Sequence, residues 1–353
     1  MSSFMGRILK AATFGESHGP GLGVVVEGAP AGLALDESRV QIELDKRRPG
    51  RSPHASARRE PDKVEILSGV SAGRTLGSPI AMLVRNQDAR SGDYAELARS
   101  FRPGHADYAY WRKYGLPPQP GGGRSSGRET LARVAAGAVA RALMEPLEVG
   151  FAAYTVAVGQ VAARRVDRAF ALGDPLRAAD PDLAAAMAEE IQTARLEGDS
   201  VGGLVELAVD NPPAGLGDPV FGKLDALLGG AMFSIGGVKG VEIGAGFAVA
   251  GRRGSQNNDQ MGEQGFLSNH AGGILGGVST GEPIVLRLAV KPTPSISREQ
   301  ATQDLEGRAV TISIKGRHDP CLCPRVAPVA EAMAALVIAD AWLVQRALER
   351  SRP

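Results

Sequence analysis

Residues 121–145 read Gly-Gly-Gly-Arg-Ser-Ser-Gly-Arg-Glu-Thr-Leu-Ala-Arg-Val-Ala-Ala-Gly-Ala-Val-Ala-Arg-Ala-Leu-Met-Glu, a glycine-rich turn that runs straight into a helix. Leu131, Val134, Ala135, Ala138, Val139 and Ala142 recur at helical spacing, so a helix is predicted over 126–145, and Pro146 ends it. Ser126 and Glu129 fit a capping box, in which each side chain satisfies a backbone donor at the helix start. Ahead of them the glycines let the backbone wrap an anion, and the helix N-terminus adds partial positive charge. Arg124 and Arg128 add charge-assisted hydrogen bonds suited to phosphate oxygens. The loop lacks the Gly-Lys-Ser/Thr ending of a Walker A loop and the spacing of a dinucleotide fingerprint. A phosphate cradle and a bare glycine turn both remain open on these residues alone.

Outward from this stretch, two more helices are predicted. One covers 181–196, with Asp180 as its cap, Pro181 in its first turn, and Leu183, Met187, Ile191 and Ala194 on one face. The other covers 328–349, with Pro328 as first helical residue and Val329, Met333, Leu336, Val337, Val344 and Leu348 repeating behind it. Runs at 22–27, 64–68, 80–85, 203–209, 283–290 and 309–315 are rich in Val, Ile and Leu and too short for helices, so they read as strands. Strands and helices mix without a regular βαβ beat, which predicts α+β rather than a doubly wound sheet. Residues 158–180 carry no usable pattern, and 251–283, full of Gly, Asn, Ser and Gln, read as one long loop of the kind that is often functional. Neither a repeat nor an internal boundary is visible, so one domain over 1–353 is expected.

Composition narrows the function. Apolar residues are 43% and charged residues 22% of the 353, enough for a large buried core. With 40 Lys plus Arg against 39 Asp plus Glu, a net charge of +1 argues against a general nucleic-acid coat. Apolar runs are cut by Arg, Glu or Gly before the roughly 18 residues a membrane helix needs. Met1 to Lys10 carries no signal-peptide stretch, so a cytoplasmic protein is expected. Cys321 and Cys323 make neither a disulfide framework nor a zinc site, and no metal is expected. Glycine is 46 of the 353 residues, against about 7% in average proteins, and it gathers in loops that must approach something closely.

Four further clusters carry chemistry. His18 lies in Gly15-Glu16-Ser17-His18-Gly19, and His105 in Arg102-Pro103-Gly104-His105-Ala106-Asp107 with Arg112 and Lys113 behind. An imidazole on a tight loop is the side chain best able to move a proton near neutral pH. Lys46, Arg47, Arg48, Arg51, Arg58 and Arg59, with His54 among them, form a basic run without interleaved aromatics, which suits a multiply charged anion better than stacked bases. Lys315-Gly316-Arg317-His318-Asp319-Pro320 sets cations beside a carboxylate, which keeps Asp319 ionised as a base or an orienting group requires. Each of these also has a plain structural reading as a turn, a solvated face or a salt bridge.

Taken together, the clusters resemble the chorismate synthase family from Phe14 to about Leu336. The matching stretches are Gly-Glu-Ser-His-Gly at 15–19 running into Val-Glu-Gly-Ala-Pro-Ala-Gly at 26–32, Gly-Gly-Arg-Ser-Ser-Gly-Arg-Glu-Thr at 122–130, and Gly-Arg-His-Asp-Pro-Cys at 316–321. Between them lie Ser-Ile-Gly-Gly-Val-Lys-Gly at 234–240, Arg-Gly-Ser at 253–255, Ala-Gly-Gly-Ile-Leu-Gly-Gly at 271–277 and Lys-Pro-Thr-Pro-Ser at 291–295. Where the family often has Arg-Asp-Tyr-Arg before the triple glycine, this chain has Pro117-Pro118-Gln119-Pro120; near Pro53, where the family often has an arginine, Arg51 is the substitute at hand.

The resemblance implies a single-domain β-α-β sandwich that assembles as a homotetramer. It implies loss of phosphate and a ring proton from 5-enolpyruvylshikimate 3-phosphate to give chorismate, on the route to aromatic amino acids. Reduced FMN is the implied cofactor, without net redox change, and NADPH is a candidate reductant. By the same resemblance His18 protonates the departing phosphate, His105 sits by the reduced flavin, and Asp319 lies near the flavin's reactive nitrogen. Arg47 and Arg48 hold substrate anions. Arg124, Ser125, Ser126, Gly236, Gly237, Gly276, Lys291, Pro292, Thr293, Pro294, Ser295 and Arg317 bind FMN. Substrate and FMN are the implied small-molecule partners, with neither nucleic acid nor membrane. A flavin-dependent oxidoreductase shares the cradle but consumes a reductant, and a non-catalytic anion-binding module shares the arginines but has no use for His18, His105 and Asp319 together.

Overall fold

The computed structural model describes residues 3–48, 60–87, 99–314, 316 and 318–348. The first sheet consists of Phe4–Met5 (β1), Lys10–Gly15 (β2), Gly21–Glu27 (β3), Val64–Ile66 (β4) and Ile80–Arg85 (β5), ordered β1-β2-β3-β5-β4 and antiparallel throughout. Leu22, Val24 and Val26 of β3 and Ile80, Met82 and Val84 of β5 are buried at every second position, the signature of a sheet covered on one face. The second sheet consists of Gly150–Val158 (β6), Val161–Ala162 (β7), Gly203–Asp210 (β8), Val238–Ile243 (β9) and Ile284–Val290 (β10), ordered β9-β10-β8-β6-β7, also antiparallel. In β10, Ile284, Leu286, Leu288 and Val290 are buried, and Leu286 and Leu288 pair with the buried Leu207 and Val205 of β8.

The helices are Glu37–Arg47 (α1), Asp107–Tyr114 (α2), Thr130–Met144 (α3), Ala184–Leu196 (α4), Leu224–Phe233 (α5) and Cys323–Leu348 (α6), with short turns of helix at Arg168–Gly173 and Gly254–Asn257. Of these, α3 and α6 form a layer between the two sheets. Helix α3 packs on β2, β3 and β5 on one side and on α6 on the other, while α6 packs on β6 and β8. The result is sheet, helices, sheet. Every residue of α3 is buried except Arg133 and Arg141, so the helix is apolar around nearly its whole circumference. At Gly137 an added Cβ would lie 2.5 Å from the Cβ of Ala332, so glycine sets the closeness of the α3–α6 crossing.

Several boundaries differ from the sequence expectation. The helix predicted from 126 begins with a 3-10 turn, Gly127–Glu129, before α3. Ser126 accepts from the Arg128 amide at 3.4 Å, but the Glu129 carboxylate is taken by the Thr13 hydroxyl and by Arg133 Nε, each at 2.8 Å, so the reciprocal box does not form. Asp180 does not cap α4; its carboxylate accepts from the amides of Arg164 and Arg165, and the helix starts four residues later. The last helix starts at Cys323 rather than Pro328, because Pro324 serves its first turn and Pro328 is accommodated inside. The segment 251–283 is not one loop: it holds the hairpins Met261–Gly262/Gly265–Phe266 and Ile274–Leu275/Val278–Ser279. Helix α6 is also long and apolar enough to cross a membrane by composition, but 89% of its most apolar window is buried inside the protein, as a central core helix requires.

Candidate active site

The site is built around the turn between β2 and β3. Asn86 Nδ2 donates to the carbonyls of Glu16 (3.1 Å) and Gly19 (2.7 Å), and these bonds hold that turn with Ser17 and His18 facing inward. The triple glycine lies against it. Gly121, Gly122 and Gly123 all have positive φ (61°, 85° and 50°). A Cβ on Gly121 would lie 2.0 Å from Cε1 and Nδ1 of His18, and one on Gly122 would lie 3.1 Å from Cε1 of His105. Backbone with no side chain is what lets both imidazoles sit against the same loop. The glycines therefore approach two histidines of the chain itself, a role the sequence alone assigned to an anion.

His105 is fixed from the other side. Its Nδ1 lies 2.7 Å from Asp107 Oδ1, and Arg102 donates to the same carboxylate from Nε (2.6 Å) and Nη2 (2.8 Å). Burial opposes the charge on Asp107, but the bonds from Arg102 and His105 outweigh it and hold the carboxyl well below the usual carboxylate range. Lys291 Nζ donates to the Gly104 carbonyl, which ties the His105 loop to the segment after β10. Burial and the neighbouring Lys239 lower the pKa of that ammonium. Asp319 is buried beside α6 and paired with Arg325 of its first turns, and Thr293 Oγ1 donates to the Asp319 carbonyl at 2.6 Å. The neighbouring His318 is pushed toward its neutral form by burial and by Arg102.

These groups line one cavity of about 330 Å³. It brings together His18, His105, Ser125, Ser126, Gly236, Gly237, Lys291, Thr293, Pro294, Ser295 and Asp319 of the residues singled out from sequence. Sequence reasoning gave no role to Ser17, Arg102, His318 and Arg325, which line it too. Among the described lining residues Asp319 is the one carboxylate, set against Arg102, Arg128, Lys291, Arg325 and three histidines. Such a wall takes anions. Ile235, Leu322, Val326 and Val329 supply an apolar side. Ser17 Oγ and Arg128 Nη2 are buried in the wall without a hydrogen-bond partner among the described residues. A Cβ on Gly236 would meet nothing within 4 Å, so glycine there keeps the floor open.

Other expected binding residues lie elsewhere. Arg47 is 1% exposed and donates from Nε to Thr130 Oγ1 (3.0 Å), from Nη1 to Asp62 Oδ2 (3.0 Å) and from Nη2 to the Gly127 carbonyl (3.1 Å). It supports the cavity wall from behind. Arg48 is half-exposed beside Asp45, at 3.6 Å. Arg124 turns away from the cavity, donating to Thr13 Oγ1 at 2.7 Å and to the Gly15 carbonyl at 3.1 Å. Gly276 sits in the 274–279 hairpin, and neither it nor Pro292 lines the cavity. Arg317, Lys315, Arg51, Pro53, His54, Arg58 and Arg59 lie outside the described residues.

Comparison with known proteins agrees with the motifs. The family model described as Chorismate synthase matches residues 9–343. A chorismate synthase from Nitratidesulfovibrio vulgaris strain Hildenborough is 52% identical over 349 residues, covering 99% of each chain. One from Methanocella arvoryzae is 56% identical over 344 residues, covering 95% of this chain and 92% of its own. A crystal structure of chorismate synthase superposes with a TM-score of 0.76 at 32% identity, covering 97% of this chain and 93% of that one. Three signature stretches closing on one cationic cavity, a match along almost the whole length and a shared fold have one conclusion: the chain belongs to the chorismate synthase family.

Proposed function

We propose that this cavity removes phosphate and a ring proton from 5-enolpyruvylshikimate 3-phosphate to give chorismate, with reduced FMN as cofactor. The observation that carries the reading is the convergence of His18, His105 and Asp319, from three distant stretches of chain, on one cation-lined cavity. The site suits FMN in three respects: cations for its phosphate, the apolar strip Ile235, Leu322, Val326 and Val329 for a flat ring, and the open floor at Gly236. When bound, reduced FMN supplies a transient reducing environment for carbon–oxygen cleavage and is regained unchanged.

The chain's own groups do the rest. Arg102, Arg128 and Arg325 hold the anions of the substrate, in place of Arg47, which is buried behind the wall and does not line the cavity. His18 delivers a proton to the phosphate oxygen as it leaves. His105 sits on the flavin side of the cavity and holds the protonation state of the cofactor, and Asp319, oriented by Arg325, assists removal of the ring proton. Ser125, Ser126, Gly237, Lys291, Thr293, Pro294 and Ser295 belong to the cofactor side, and Pro292 is placed there by family resemblance alone. Arg317, Gly276 and Arg124 keep a cofactor role only by family resemblance.

The reading extends to a cytoplasmic homotetramer of one-domain subunits. One continuous buried cluster contains residues of both sheets and of the helices between them, which supports a single domain over 1–353. Val220, Phe221, Phe233, Phe247, Met261 and Leu267, all more than half exposed, come from one stretch of chain and support self-association. The test is anaerobic: supply chemically reduced FMN, then oxidised FMN with NADPH, and follow chorismate and flavin together. Many turnovers per flavin are expected with reduced FMN, and turnover with the second mixture would add NADPH as reductant. Flavin oxidised mole for mole with product would make this a flavin-dependent oxidoreductase instead.

A further inference from the structure

We infer that Asp107 is a positioning residue for the reaction, which fixes His105 with its proton on Nδ1 and leaves Nε2 as the nitrogen that serves the cavity. The inference rests on the proposed role of His105 and adds the group through which that role is set.

Asp107 is 4% exposed and sits in the first turn of α2, where a negative charge is favoured by the helix end. An ionised carboxylate only accepts hydrogen bonds. Four donors surround it. Arg102 Nε (2.6 Å) and the Arg102 amide (3.3 Å) point at Oδ2; Arg102 Nη2 (2.8 Å) and His105 Nδ1 (2.7 Å) point at Oδ1. Arg102 cannot give up a proton, so His105 Nδ1 must be protonated to share Oδ1 with Nη2. Arg102 Nη2 also lies 3.0 Å from His105 Nδ1, and since an arginine only donates, that contact alone would ask Nδ1 to accept. The 2.7 Å approach to the ionised Oδ1 is shorter and carries the opposite charge, so the carboxylate decides the tautomer. The far edge of the ring lies against Gly122, where only the absence of a Cβ leaves room: an added Cβ would meet Cε1 at 3.1 Å and Nε2 at 3.3 Å. The groups that face His105 are therefore Asp107 and Arg102 on one edge, Gly122 on the other, and the buried His318 within electrostatic reach.

The same inventory predicts what Asp107→Asn does. The new amide nitrogen cannot replace Oδ2, because it would face two fixed donors of Arg102. At the Oδ1 position it faces one fixed donor and the imidazole, which alone can switch from donating to accepting. The variant should therefore place Nδ2 toward His105, strip the proton from Nδ1 and move it to Nε2, reversing the tautomer presented to the cavity.

The test uses the full chain labelled with 15N-histidine, with and without FMN, and assigns His105 among the five histidines by its loss in His105→Gln. In alkaline buffer, nitrogen chemical shifts of the wild type should show Nδ1 protonated. In Asp107→Asn they should show the proton on Nε2, with turnover down on the order of 10²-fold and FMN affinity nearly unchanged. An unprotonated Nδ1 in the wild type overturns the inference, and this measurement requires no variant to fold. So does a reversed tautomer in Asp107→Asn at full turnover. Full turnover of His105→Gln would instead sink the role of His105 on which the inference rests, while leaving the measured tautomer standing.

Discussion

Two arginines grip Asp62 from opposite sides, Arg47 on Oδ2 at 3.0 Å and Arg128 on Oδ1 at 2.7 Å. Arg47 ends α1, bonds Thr130 and the Gly127 carbonyl through its other two nitrogens, and at 1% exposure stays behind the cavity lining. Burial first, then the nearby Arg325, push its guanidinium below the ordinary arginine range, with Asp62 opposing. Arg128 stands at the other end of the same carboxylate. Its Nε donates to Asn86 at 2.8 Å, the residue that also braces the His18 turn, and its Nη2 lies 3.5 Å from Glu60 without a hydrogen bond among the described residues. One arginine is scaffold and the other is wall. A run of basic residues in a sequence does not separate the two cases, because the deciding partner, Asp62, comes from another part of the chain.

Substitutions should separate them, beginning with the largest effect. Arg47→Met leaves part of a buried carboxylate network without its partner, so unfolding in urea should show a loss of about 3–5 kcal/mol with the substrate KM of the folded fraction unchanged. A stable Arg47→Met enzyme with a raised KM would put Arg47 in contact with substrate and erase the contrast. Next comes Gly121→Ala, which drives a methyl into the His18 ring. Turnover should fall on the order of 10²-fold from misplacement of the imidazole, with global stability less affected than in Arg47→Met. Arg128→Met should raise the substrate KM about 10- to 100-fold, the 1.5–3 kcal/mol typical of a hydrogen bond to a charged group. Unchanged KM there would leave the anions to Arg102 and Arg325 alone. The smallest effect concerns His318. Its folded pKa lies below the ordinary value of 6.5, so the unfolded chain binds more protons just below that pH. Stability should be fully present above pH 6.5 and decline as the pH falls through the window beneath it. Thermal midpoints of His318→Gln should lack that component of the decline.

Much of the architecture was legible because buried strands alternate. β3, β5, β8 and β10 put Val, Ile and Leu at every second buried position, and α3 and α6 are too long and apolar to miss. Helix α1 was not legible: its buried face is Val40, Leu44 and an arginine, which leaves no apolar stripe to count. Helix α2 buries only Asp107, so periodicity is silent there as well. The hairpins of 251–283 use two-residue strands, shorter than any pattern can register.

The site divides in the same way. His18, His105 and Asp319 stood out through the short motifs around them, but their partners are supplied by the fold. Arg325 lies in the first turn of α6, and the cation expected beside Asp319 was sought on the other side, at Lys315 and Arg317. The His-x-Asp spacing of His105 and Asp107 was the one available signal for the imidazole's partner. The glycines at 121–123 announced a close approach without saying to what, and what they approach is the pair of histidines.

The central claim is that His18 and Asp319 act on one reacting complex in this cavity. Its most direct test is a set of anaerobic single-turnover rates with reduced FMN for wild type, His18→Ala, Asp319→Ala and the double variant, alongside FMN and substrate titrations. Each single variant should fold, bind FMN and substrate nearly as wild type does, and lose on the order of 10²–10⁴ in rate. The double variant should be less impaired than the product of the two singles, because both groups serve the same event. A His18→Ala enzyme turning over at the wild-type rate, or single effects that multiply in full, would contradict the account.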